Sequence, residues 1–140
     1  MKPFIIITKK TLAVIISAII IFLLIISRVF ATSSAGIDGS TNYNRVAYLE
    51  SLGILVDDSD VSSKEIVIPE TFNNIYKEYN TLQKKAGFNL IPYKNKTATL
   101  YTYRLSNKEE QARLIVYKNQ IIGGDIADIN VNGSMKPLVK

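Results

Sequence analysis

The chain has 140 residues, no cysteine, no histidine and a formal net charge of +5. Without His or Cys there is no thiol nucleophile, no Ser-His-Asp triad and no thiolate or imidazole metal site. Four of the 17 basic residues (Lys2, Lys9, Lys10 and Arg28) lie in or beside the N-terminal apolar run, and all 12 acidic residues follow it. The remainder is near neutral, which excludes the clustered excess of Lys and Arg that a nucleic-acid surface needs.

Residues 1–10 carry Lys2, Lys9 and Lys10 and read as a short cytoplasmic N-terminus under the positive-inside rule. The run that follows, Thr11 to Ser27, has no charge and twelve Ile, Leu, Val or Phe residues. Their insertion free energies sum to about −5 kcal/mol in favour of a bilayer. As a helix extended to Ala31 the segment would span about 31 Å, close to the hydrocarbon thickness. Residues 11–31 are therefore expected to be a transmembrane signal anchor, with the lipid bilayer as a partner and the C-terminal domain outside the cell membrane. The alternative is a cleaved signal peptide and a secreted domain, because Val29-Phe30-Ala31 and Ser33-Ser34-Ala35 both offer small-residue cleavage sites. Residues 32–40 are small, polar and Gly-containing, and read as a linker.

The segment 41–140 is long enough for one small domain and has no disulfide, so its core alone must hold it. A first helix is predicted from Tyr43 to Leu52, capped by Ser40, Thr41 or Asn42 and closed by Gly53. Ile54-Leu55-Val56 reads as a short strand, Asp57-Asp58-Ser59-Asp60 as an acidic turn, and Glu65 to Ile68 as a second strand. Pro69 and Glu70 suit a helix start, and the spacing of Phe72, Ile75, Tyr76, Tyr79, Leu82 and Ala86 predicts a second helix over 70–86, ended by Gly87. Thr97 to Leu105 alternates β-branched and aromatic residues and predicts a strand. Ala112 to Tyr117 and Gln120 to Ile129 follow as a hairpin about Lys118-Asn119-Gln120, with Gly123-Gly124 suggesting a bulge. The expected fold class is α+β: an antiparallel sheet of three to five strands with two helices packed on it, one or both of them on one face, preceded by one transmembrane helix.

Several stretches together resemble a known family. They are Arg45-Val-Ala-Tyr-Leu-Glu-Ser-Leu-Gly53, Val67-Ile-Pro-Glu-Thr-Phe72, Gly87-Phe88, Tyr101-Thr-Tyr103, Leu114-Ile-Val-Tyr117 and Ile121-Ile-Gly-Gly-Asp125. The pattern over residues 44–135 is similar to a domain-of-unknown-function family (number 4830) of short proteins of Gram-positive bacteria, typically behind one N-terminal membrane segment. Ile54 departs from the Trp that the family often has there. The resemblance implies domain limits and a location; it implies no activity, no cofactor and no catalytic residue.

Ligand or partner contact is expected at Gly123, Gly124 and Asp125, where two glycines allow close approach beside a carboxylate, and at Tyr101 and Tyr103 within a Tyr-rich chain that includes Tyr76, Tyr79 and Tyr117. Each has a plainer reading, as a glycine bulge or as core-edge filler. The acidic turn lacks the Gly and distal Glu of a calcium loop. Asp125 and Asp128, three apart on a strand, point to opposite faces and make a poor acid–base pair. Arg104 and Arg113 could hold a carboxylate or phosphate, or pair with Glu109 or Glu110. No catalytic, cofactor or metal site is read from the sequence. The expected function is a non-enzymatic binding domain outside the cytoplasm, contacting a membrane or envelope protein. The alternative is a small-ligand or envelope-sensing domain with a pocket between the second helix and the sheet, near Gly123-Gly124-Asp125.

Overall fold

The structure, a computed structural model, describes residues 14–22, 36–107, 109–130 and 133–139. The chain divides into two compact units, Met1–Ala35 and Gly36–Lys140. In the first, residues 14–22 are helical. Among the described residues no helix is long and apolar enough to cross a membrane, which corrects the expectation of a transmembrane helix. Residues 11–13 and 23–31 of that expected span, and both cleavage motifs, lie outside the described residues.

The second unit is built around a six-stranded antiparallel sheet. Its elements are β1 (Ile37–Asp38), α1 (Asn42–Ser51), β2 (Val56–Val67), α2 (Asn74–Lys85), a 3-10 turn (Ile91–Tyr93), β3 (Thr97–Leu105), β4 (Glu110–Tyr117), β5 (Gln120–Asp128) and β6 (Met135–Pro137). The strand order is β1-β5-β4-β3-β2, and β6 also pairs with β5. The domain is thus richer in sheet than the expected three to five strands with two helices.

Three local differences account for that correction. Ile37–Asp38, read as linker, pairs with Gln120 and Ile121 at one end of β5. Met135–Pro137, given no element in the sequence reading, pairs with residues 125–127 at the other end. The Asp57–Asp60 stretch is no turn: it belongs to the twelve-residue β2, whose register with β3 shifts between Val56 and Val61. A short strand has too few residues to show a period, and an edge strand exposed on both sides has no apolar alternation to read.

The helices start and stop for local reasons. Thr41 caps α1 by accepting from Asn44 N at 3.1 Å, and Gly53 closes it at φ 78°. Helix α2 begins four residues later than expected. Asn73 takes extended backbone and accepts from Tyr76 N at 2.9 Å, so Pro69 to Phe72 approach the helix without joining it. Lys84 and Lys85 occupy its last turn, where the helix dipole favours cations, and Gly87 closes it at φ 84°. The β4–β5 hairpin turns on Lys118 and Asn119, both at positive φ (47° and 66°), as a two-residue type I′ turn requires. Beside it the register slips by one residue: Ile115 pairs with Gly123 but Val116 with Ile121, which leaves Ile122 as the bulged residue.

The two helices cover opposite faces of the sheet, one of the arrangements that the sequence left open. One core joins Leu49 of α1 to Tyr103, Ala112 and Leu114. The other joins Ile68, Phe72 and Leu90 to Ala98, Ile115 and Ile122, with Tyr76 and Tyr79 of α2 packed on it. Alternation along β3 and β4 produces this split, since Tyr101 and Tyr103 face one way and Leu100 and Thr102 the other.

Candidate functional site

On the α2 side, register sets two rows of side chains across the sheet. Lys64, Leu100, Ile115 and Gly123 form one; Ser62, Thr102, Arg113 and Asp125 form the next. Neighbours in such rows have Cβ atoms about 5 Å apart. Asp125 is wholly buried. Its Oδ1 accepts from Arg113 Nε at 2.8 Å and meets Nη2 at 2.6 Å, while its Oδ2 accepts from the Tyr79 hydroxyl at 2.7 Å. A buried carboxylate is tolerated only when paired and hydrogen-bonded, and both conditions are met here. Burial, followed by the Asp125 charge, pushes the Tyr79 phenol far above its ordinary value, so Tyr79 stays a neutral donor.

Beside this network lies an open groove of about 460 Å³. Its helix wall is Ile75, Tyr76, Glu78, Tyr79 and Leu82; its sheet floor is Ile66, Leu100, Arg113 and Ile115. The floor continues past Leu100 and Arg113 onto the uncovered part of the sheet, over Ser62, Lys64, Thr102 and Gln111. The result is one trough, apolar under α2 and polar beyond it. The volume of the part under α2 falls within the range of small-molecule sites.

The expected contact residues are not brought together. Gly123 and Gly124 are buried and close-packed. A Cβ on Gly123 would stand 2.9 Å from Gln83 Oε1 and 3.1 Å from Leu90 Cδ2; one on Gly124 would stand 2.5 Å from the Arg113 carbonyl oxygen. These glycines serve packing and offer no surface to a ligand. Tyr103 is fully buried on the α1 face, where its hydroxyl accepts from Arg45 Nε and donates to Asn42 Oδ1, both at 2.8 Å. The Arg45 guanidinium lies over the Tyr101 ring, 3.6 Å from its centroid, and its Nη1 donates to the Gly39 carbonyl at 2.7 Å. Tyr101 and Tyr103 therefore hold a buried cation on the sheet face opposite to Asp125. Tyr117 packs edge-on against Tyr93 and Tyr76 edge-on against Tyr79, while the Tyr76 and Phe72 rings meet at a tilt.

The arginines take other partners than the expected Glu109 and Glu110. Arg113 pairs with Asp125, and Arg104 with Asp60 at 2.9 Å. Asp57 Oδ1 accepts from Ser59 N and Oγ. Asp128 Oδ2 accepts from Ser134 N and Oγ, and so pins the approach to β6. The functional feature that the sequence reading placed only coarsely is the groove. Ile75, Leu82, Ile66 and Leu100 were readable as apolar positions, but their separation into a cleft depends on how far α2 stands off the sheet.

No curated protein and no solved structure matches the chain. The family described as Domain of unknown function (DUF4830) matches residues 48–126, a span running from α1 to β5 that holds α2, the groove floor and Asp125. More than half of the chain lies within that match, and the protein belongs to this family.

Proposed function

We propose that residues 36–140 form a non-catalytic binding domain that works outside the cytoplasm and takes its ligand in the groove between α2 and the sheet. The groove itself carries the reading: apolar walls converge on a few polar groups, with Arg113 fixed at the margin by a buried carboxylate. Of the two expected occupants, a protein partner and a small ligand, a concave cleft of this size favours the ligand. The absence of His and Cys from the whole chain supports a binding role over a catalytic one. So does the groove lining, in which Glu78 is the lone carboxylate among the described residues. The basic residues before the apolar run support export.

A chain without cysteine allows a direct test by single-cysteine labelling. Ile75→Cys places a thiol on the groove wall, and Tyr43→Cys one on α1 away from it; both positions are well exposed. A membrane-impermeant maleimide should label both in intact cells. The Ile75→Cys site should react more slowly in cells than in the purified full chain, and the Tyr43→Cys site equally fast in both. Labelling only after lysis would overturn the location. Equal rates at Ile75→Cys in cells and in purified protein would overturn the occupied groove.

A further inference from the structure

We infer that the trough takes an amphiphilic anion, an apolar chain bearing a phosphate or carboxylate head, with the chain under α2 and the head over Lys64 and Arg113. This rests on the binding reading above and adds the chemistry of the ligand.

The polarity of the trough changes along its length. Under α2 it offers Ile66, Ile75, Tyr76, Leu82 and Ile115, and its exposed surface there is largely apolar. At the β2 edge of that floor stands Lys64, beside Leu100, and two strand positions further on the floor becomes Ser62, Thr102 and Arg113, with Gln111 beyond. A wholly apolar ligand would leave these donors facing it unpaired, which costs affinity. A small polar anion would leave the apolar half empty.

Two cations stand where the floor changes. The Lys64 side chain has no hydrogen bond or ion pair among the described residues. Arg113 spends Nε and Nη2 on Asp125 and Met135, which leaves Nη1 without a hydrogen-bond partner among the described residues. Asp125 holds the guanidinium plane fixed, and Tyr79 holds Asp125. An arginine oriented in advance loses less freedom on binding than a free one. Thr102 lies beside Arg113 and Leu100 beside Lys64 in the register, so the two cations flank the last apolar residue of the floor. Glu78 sits on the helix wall of the apolar part, and its charge disfavours a head placed at that end.

The test uses the purified full chain, with hydrogen exchange read over residues 74–85 and 97–117. The probes are octyl phosphate and octanoate below their micelle concentrations, octyl glucoside as the neutral chain, and inorganic phosphate as the head alone. Octyl phosphate and octanoate are expected to protect both segments, and each single-part probe to need at least tenfold more. Lys64→Glu and Ile75→Glu alter exposed side chains and leave the Arg113–Asp125 pair intact. Each should weaken octyl phosphate about tenfold, and Lys64→Glu should leave octyl glucoside unchanged. Equal protection by octyl glucoside and octyl phosphate would overturn the anion and leave the groove reading standing. Equal protection by inorganic phosphate would overturn the chain. No protection by any probe would overturn the amphiphilic anion, while the Ile75→Cys labelling rates decide the occupied groove separately.

Discussion

Gln83 Oε1 accepts the Gly124 amide at 2.7 Å, so a helix side chain caps the edge of β5 between the stretches paired by β1 and by β6. An unpaired amide there would be both an energetic cost and an edge open to another strand. The absence of Cβ at Gly123 is what lets Gln83 come so near. Gln83 is fully buried, and its Nε2 has no hydrogen-bond partner among the described residues.

The two glycines should differ in their tolerance of alanine. At Gly123 the new methyl meets the ends of Gln83 and Leu90, which can shift, so Gly123→Ala should cost about 1–3 kcal/mol. At Gly124 it meets the Arg113 backbone oxygen, which cannot move without opening the β4–β5 ladder. Gly124→Ala should cost more than Gly123→Ala in urea unfolding of the full chain. The reverse order would contradict this packing.

Arg45 is 6% exposed and makes no ion pair among the described residues. Its charge is held by the Tyr101 ring, the Tyr103 hydroxyl and the Gly39 carbonyl. Tyr101→Leu removes the ring face and keeps an apolar side chain of moderate size, so the loss should be about 1–2 kcal/mol, the scale of a desolvated cation–π contact. In an Arg45→Met background the same change should cost far less. A double-mutant cycle by urea unfolding measures the coupling, and a coupling near zero would mean that the stack is incidental.

The Tyr79 phenol has a folded-state pKa raised above its ordinary value of 10, first by burial and then by Asp125. A group raised in this way contributes stability that is fully present below pH 10 and is lost as pH rises, because the unfolded chain ionises first. Tyr79→Phe should cost about 1.5–3 kcal/mol near pH 7, the worth of a hydrogen bond to a charged group. That deficit should shrink above pH 10, by up to about 1.4 kcal/mol per pH unit. Urea midpoints of both proteins from pH 7 to pH 11 test it; a constant difference would mean that Tyr79 ionises in the folded chain as it does in the unfolded one.

Much of this domain was legible where a residue's role is local. Thr97 to Leu105 shows its strand by alternation, Gly53 and Gly87 mark helix ends through the left-handed backbone they supply, and Asn119 marks the hairpin. Non-local choices were hidden. Asp125 looked like a surface carboxylate because its partners, Arg113 and Tyr79, lie 12 and 46 residues away in sequence. The glycines before it looked like room for a ligand because Gln83 and Leu90, which fill that space, come from a different layer. Tyr101 and Tyr103 looked like a surface patch because their partner, Arg45, is a charged residue on a helix, where a polar face is the ordinary reading. A cation buried by aromatic rings leaves no periodic trace.

The Arg113–Asp125 pair should be unequal in the cost of losing either side. Asp125 is 0% exposed and Arg113 is 21% exposed by side chain. Arg113→Leu leaves a carboxylate stranded among apolar groups with Tyr79 as its remaining support, and the expected loss is about 3–5 kcal/mol. Asp125→Leu leaves a guanidinium that can turn toward water along the trough, and it should cost less. Replacing both with leucine removes the stranded charge, so the double variant should be more stable than Arg113→Leu alone. Urea unfolding of the three variants, followed by circular dichroism, gives the order directly. If Arg113→Leu proved the mildest of the three, Asp125 would not depend on Arg113 for its burial, and the view of Arg113 as a cation held in place by a buried partner would fall with it.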